Sequence, residues 1–303
     1  GVEIDPKDNV LVTVGIKEAI FNALHSLVNA GDVVMVPDPG YPTYFEAVLF
    51  TGGKLLTYNS DAESDRVLNE IEQKARLHGP KIVIVNYPSN PTGRIVGLDF
   101  YKSLSEIASR YDFAVMSDLA YSEIAFDGLT VHSYLEARPG LELGFEYFAF
   151  SKTYNMAGWR VGAIVGDKRL VDAVKLYKSK IDSNVFYPIQ QAAATALIET
   201  PDSFYRELSG MYQQRRDALV HGLSDIGLRF SPPQGAMYTW VETPEGIDPW
   251  LFTEKLYKEY GILVVPGTAY GLNGGQRVRM GLVQETPLME EAARRLAEGG
   301  LMR

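Results

Sequence analysis

Lys152 stands directly after the apolar run Tyr147-Phe148-Ala149-Phe150-Ser151, and Asp118 closes a second run, Phe113-Ala114-Val115-Met116-Ser117. A lysine amine drawn partly out of water becomes neutral and nucleophilic. Most lysines stay in solvent, so position alone favours an exposed lysine over a reactive one. A carboxylate at the carboxyl end of a central strand lies where α/β proteins build their sites, although a helix cap or turn aspartate reads the same. Tyr121 follows Asp118 closely enough to serve the same cavity, or simply to pack. The segment Asn86-Tyr87-Pro88-Ser89-Asn90-Pro91-Thr92-Gly93 carries the prolines and glycine of a rigid turn, which holds Asn90 in one orientation at a strand end. Near the start, Val14-Gly15-Ile16-Lys17 leads from a β-rich stretch into a helical one. The free amides of Gly15, Ile16 and Lys17 can cradle a phosphate at that helix N-terminus; a plain strand-to-helix turn has the same sequence.

The elements that must carry these residues alternate. Strands are expected at Val33 to Val36, Lys81 to Val85, Phe113 to Ser117, Tyr147 to Phe150 and Gly162 to Gly166, all nearly continuously apolar, as in a buried and mostly parallel sheet. Helical spacing covers Lys17 to Val28, Leu98 to Arg110 and Leu170 to Lys178, giving an α/β sheet flanked by helices. After residue 185 come helices Ile189 to Glu199 and Ser203 to Ser224, then strands near Ala236 to Val241 and Arg277 to Leu282. A helix from Pro287 to Ala297, ended by Gly299 and Gly300, closes the chain. The division expected is a large α/β domain over 1–210 and a small α+β domain over 211–303.

Composition narrows the partners. The 303 residues are 46% hydrophobic and 22% charged, enough to bury a large core, and the net charge of −9 with scattered basic residues argues against nucleic acid or an anionic membrane. With no cysteine, disulfides and thiolate metal sites are excluded, and the four histidines, His25, His78, His132 and His221, stand far apart. No metal is assigned. No apolar run is long enough to span a membrane and the start lacks a signal-peptide pattern, so the cytoplasm is the expected location.

In order, Asn90-Pro91-Thr92-Gly93, Asp118-Leu119-Ala120-Tyr121, Ser151-Lys152-Thr153 and Gly158-Trp159-Arg160-Val161-Gly162 resemble the class I/II aminotransferases. Similarity runs from about Val10 to the C-terminus and includes Pro37-Asp38-Pro39-Gly40-Tyr41-Pro42, Pro266-Gly267 and Val278-Arg279. The branch it looks closest to holds aspartate-type and LL-diaminopimelate-type aminotransferases. The resemblance implies the fold type I architecture, pyridoxal 5′-phosphate as cofactor, amino acid and 2-oxo acid substrates, and a homodimer with shared active sites. It makes Lys152 the Schiff-base lysine and proton shuttle, and Asp118 the partner of the pyridine nitrogen, whose protonated ring is the electron sink. Asn90 and Tyr121 match the pair on the phenolic oxygen, and Tyr41 matches the ring stacked on the pyridine. Arg160, Ser151 and the amides of Gly15, Ile16 and Lys17 match the phosphate site, where a guanidinium fork suits the oxygens. Arg279 matches the arginine that grips the substrate carboxylate, with Asn90 beside it, while Arg277 on the same strand is expected to point to the opposite face.

Two positions depart from that pattern: Ala149 replaces a serine that contacts the phosphate in many relatives, and Ile16 stands where relatives often carry a small or hydroxyl residue. The resemblance further implies an N-terminal stretch that completes the small domain and lends a tyrosine to the neighbouring subunit's phosphate. Nothing before Val10 matches it, and a longer native protein is the expectation. The reaction implied is transfer of an amino group in two half-reactions, with an acidic or small donor and 2-oxoglutarate as acceptor. The cofactor core alone is shared with carbon-sulfur lyases, cyclopropane-forming synthases, decarboxylases and cofactor-sensing regulators, so these readings stand beside it.

Overall fold

The computed structural model describes residues 2–138, 140–299 and 301. Seven strands form one sheet: β1 (Val10–Thr13), β2 (Val33–Asp38), β3 (Lys54–Asn59), β4 (Ile82–Asn86), β5 (Ala114–Asp118), β6 (Gly144–Ala149) and β7 (Gly162–Gly166), in the order β1-β7-β6-β5-β4-β2-β3. Strands β2 to β6 run parallel. β7 is antiparallel to β6, and β1 to β7. The Val- and Ile-rich strand β4 and its neighbour β5 are buried at every position, the signature of a sheet covered on both faces.

Those covers are amphipathic helices. α1 (Gly15–Leu27), α2 (Pro42–Phe50) and α6 (Lys168–Lys178) pack Ile20, Leu24, Tyr44, Val48 and Val171 into one core. On the other face, α3 (Ser64–His78) and α4 (Leu98–Tyr111) supply Val67, Ile71, Tyr101 and Leu104. Between β6 and β7 lies the short α5 (Phe150–Thr153).

Beyond α7 (Tyr187–Glu199) and the long α8 (Asp202–Asp225), which runs through position 210, a second sheet orders its strands β10-β11-β9-β8. These are β8 (Phe230–Ser231), β9 (Tyr238–Glu242), β10 (Val265–Pro266) and β11 (Arg277–Gly281), all antiparallel. With α9 (Pro249–Tyr260) and α10 (Thr286–Glu298) they enclose a core of Leu223, Val241, Phe252, Leu256, Val278 and Leu296. Among the described residues, no helix is long and apolar enough to cross a membrane.

Several boundaries differ from the sequence reading. β3 and β1 were not among the expected strands; β3 is an edge strand only partly buried, so its polar positions break the apolar run. Phe150, expected at the end of a strand, begins α5, and Lys152 therefore sits on a helical turn rather than directly at a strand end. Gly299 caps α10 as expected, whereas Gly300 lies outside the described residues.

Candidate active site

Parallel pairing aligns strand ends. Asn86 at the end of β4 is in register with Asp118 at the end of β5, and Asp118 with Tyr147 on β6. The Asn86 amide donates to the Asp118 carbonyl at 2.8 Å, and its oxygen accepts from the Asn90 amide at 2.9 Å. One side chain thus ties the rigid turn to the central strand. The Asp118 carboxylate is buried and accepts from the Tyr44 hydroxyl at 2.5 Å and the Ala120 amide at 3.1 Å. Burial pushes its pKa up to about 6 despite both donors, so ionising it near neutrality holds a bare negative charge inside the protein, ready for a cationic partner.

The opposite end of the site is built for an anion. α1 begins at Gly15 with no side-chain cap, leaving its first amides for a ligand. Beside them Arg160, in a left-handed conformation with φ 55°, donates to the carbonyls of Ala157 at 2.9 Å and Val14 at 3.2 Å. Gly15 has φ +75°, and a Cβ there would lie 2.4 Å from the Arg160 guanidinium. Only glycine lets the guanidinium lie against the helix start. Helix amides, Arg160 and the Ser151 hydroxyl form a donor set that suits a phosphate, and these residues therefore fit the phosphate-bearing cofactor implied by the motifs.

A second cation faces the site from β11. The Arg279 guanidinium lies 4.0 Å from the Tyr238 ring centroid and 4.9 Å from that of Tyr270, and donates to the Asn90 side-chain oxygen at 2.8 Å. Aromatic faces hold it by cation–π attraction without consuming its donors, and its buried Nε has no hydrogen-bond partner. Tyr121 is buried edge-on to Tyr238, their hydroxyls 3.2 Å apart. Burial and that neighbouring phenol push the Tyr121 phenol well above its ordinary pKa, so it enters the site as a proton donor. Arg277 does not point away as expected: residues two apart in a strand share a face, and Arg277 lies on the face of Arg279, paired with Asp61 and Glu242.

Lys152, Asp118, Tyr121, Asn90, Tyr41, Ser151, Arg160, Ile16, Lys17 and Arg279 all line one cavity of about 500 Å³. Gly15 is not on its wall; it is the platform behind Arg160. Ala149 also lines the cavity without offering a hydroxyl. Sequence reasoning missed Tyr44, Asn86 and Tyr238, which share the wall. Tyr44 had a signal, since it falls one helical turn after Tyr41. Tyr238 had none, because only the docking of the small sheet brings β9 to the site.

Residues 1–296 match the family model for aminotransferase class I and II. The chain is 38% identical over 299 residues to an LL-diaminopimelate aminotransferase of Dehalococcoides mccartyi, covering 98% of this chain and 76% of that one. Glutamate-pyruvate aminotransferase AlaC of Escherichia coli is 36% identical over 298 residues, with 97% and 72% covered. Among solved structures, a Thermus thermophilus aspartate aminotransferase double mutant superposes with a TM-score of 0.88 at 29% identity, covering 98% of this chain and 77% of that one. The mixed sheet, its small antiparallel partner and these matches make this chain a member of the class I and II aminotransferases, enzymes that transfer amino groups between amino acids and 2-oxo acids with pyridoxal 5′-phosphate.

Proposed function

We propose that Lys152 is the residue that holds the cofactor and moves the proton, in a reaction of two half-reactions sharing one site. The observation carrying this reading is the single cavity on which Lys152 meets a buried carboxylate, an anion cradle and an aromatic-held arginine. When bound, pyridoxal phosphate supplies an aldehyde to capture an amine and a ring to take up electrons released at the substrate α-carbon. Arg279, with Asn90 beside it, orients the substrate carboxylate. The Lys152 amine would take the α-proton from the bound amino acid and pass it to the cofactor side. The amino acid exchanges its nitrogen for the oxygen of a water and leaves as a 2-oxo acid. The amino group, which would be retained on the cofactor, passes to a second oxo acid by the reverse steps with release of water. Asp118 would keep the ring nitrogen protonated by its charge, Asn90 and Tyr121 would hydrogen-bond the phenolic oxygen, and Tyr41 would offer its ring to the cofactor ring.

Ser151, Arg160 and the amides of Gly15, Ile16 and Lys17 take the phosphate in this reading. Gly15→Ala forces the guanidinium off the helix start, and losing one charge-assisted contact is expected to weaken cofactor binding by about 10- to 100-fold. Titration of cofactor-free protein with pyridoxal phosphate measures this; an unchanged dissociation constant would take Arg160 out of the phosphate site.

For substrates, the reading is an acidic or small amino donor with 2-oxoglutarate as acceptor. Its support is the name glutamate-pyruvate aminotransferase, since glutamate is the amino acid of 2-oxoglutarate and pyruvate the oxo acid of a small donor. LL-diaminopimelate, in the name of another relative, adds a larger candidate donor. A panel of LL-diaminopimelate, aspartate, alanine and aromatic donors against 2-oxoglutarate should give glutamate and the matching 2-oxo acid, fastest with the first three. Fastest turnover of an aromatic donor would overturn the substrate assignment, and release of sulfide or carbon dioxide without glutamate would overturn transamination. The proposed homodimer is supported by apolar side chains left in solvent on one chain, Phe50, Trp159, Phe186, Tyr187 and Ile198, and by α7, where only Ala193 is buried. The proposed division near residue 210 separates the seven-stranded sheet from the four-stranded one.

A further inference from the structure

Tyr44 is placed differently from the other buried tyrosines. It sits in the first turn of α2, fully buried, with its ring edge-on to Tyr41 at 5.7 Å and 84° and its hydroxyl 2.5 Å from Asp118 Oδ2. The other carboxylate oxygen accepts only from the backbone amide of Ala120. Tyr44 is therefore the one side-chain donor the described residues give to this carboxylate. Because burial and the adjacent negative charge push the Tyr44 phenol well above its ordinary pKa, the proton stays on the phenol and Asp118 is the acceptor. The same turn also presents Tyr41 to the cavity, so one helix start fixes both a ring face and a carboxylate.

We propose that Tyr44 is a positioning residue for transamination: by donating to Asp118 it orients the carboxylate and keeps it charged for a protonated ring nitrogen. This rests on the role proposed above for Asp118. The remaining titratable neighbours do not duplicate the contact. Tyr121, just past β5, bonds Tyr238 instead, and the Tyr147 hydroxyl on β6 is buried without a partner. Burial holds both phenols neutral, helped by the Tyr238 phenol beside Tyr121 and by the charge of Asp118 beside Tyr147. The cations Lys17, Lys152, Arg160 and Arg279 line the cavity, and no ion pair joins any of them to Asp118 among the described residues. A hydrogen bond to the charged form of a carboxyl group lowers its pKa, so removing the phenol should raise it.

The test compares Tyr44→Phe with Tyr58→Phe. Tyr58 is equally buried, and its hydroxyl bonds the Ile84 carbonyl rather than Asp118, so the pair separates loss of a buried hydroxyl from loss of the carboxylate donor. In cofactor-free protein, carboxyl-carbon NMR should show Asp118 titrating about one pH unit higher in Tyr44→Phe and unmoved in Tyr58→Phe. In the loaded enzyme, the acid limb of kcat should shift upward by about the same amount, with KM for the amino donor within about twofold. An Asp118 titration unmoved in Tyr44→Phe, or moved equally in both variants, overturns the proposal. The NMR titration needs no cofactor, so failure of the site reading shows separately, as a parent protein that forms no cofactor chromophore.

Discussion

Lys152→Ala is expected to leave a folded protein that still takes up pyridoxal phosphate but transaminates at least about 10⁴-fold more slowly. The size follows from asking one amine to do two jobs in the proposed reaction, holding the cofactor and carrying the α-proton. Each positioned proton transfer is commonly worth about 10²–10⁴-fold on its own. Folding should survive because α5 is a single short turn whose buried residues are Phe150 and Thr153, not Lys152. In the proposed site the phosphate would be taken by other residues, Arg160 and the uncapped start of α1, so uptake of the cofactor should persist at reduced affinity. Single-turnover absorbance with a good amino donor measures the rate. A variant rate within about tenfold of the parent's would remove Lys152 from the mechanism.

Asp118→Asn should act in opposite directions on catalysis and on stability. Its pKa is raised by burial from 3.8 in the unfolded chain to about 6 in the folded one, so the native state binds the proton more tightly. The resulting cost to folding is absent below the unfolded value, grows as pH rises between the two, and is complete above the folded value. The neutral amide should therefore stabilise cofactor-free protein by on the order of 2 kcal/mol above about pH 7, with no gain in acid. Thermal or urea unfolding at both pH values measures this. In the loaded enzyme the same change would remove the charge proposed to keep the ring nitrogen protonated, and kcat should fall by about 10²–10³-fold. A variant that keeps near-parental kcat, or gains no stability at neutral pH, contradicts the role given to this carboxylate. On this proposal the site stores an unfavourable charge for its ligand to compensate, a common exchange of stability for function.

Much of this was legible from order in the chain. Asp118 ends a fully buried strand because an apolar run followed by a carboxylate has one stable arrangement in a parallel sheet, the run inside and the charge at the carboxyl edge. The turn through Asn90 was written in its prolines and glycine, and the helix start at Gly15 in the change of period after Val14. These are short-range signals, set by steric and solvation preferences of neighbouring residues.

Tertiary structure decided what met what. Lys152, which position in the chain left as an ordinary solvent lysine, shares a cavity with Arg279 only because the fold brings β11 to the turn after β4, where Arg279 meets Asn90. The Tyr238 face on that guanidinium, the Tyr44 phenol on Asp118 and the Asn86 amide bridging β4 and β5 all join residues far apart in sequence. The sequence by itself determined the central strands of the large sheet, the motif order and the residue types at the strand ends, but not the edge strands β1 and β3. Only the folded chain determined their pairing, because hydrogen bonds, burial and cation–π contacts depend on distances through space, and the local periodicity that specifies a helix or strand carries no information about which distant side chain will face it.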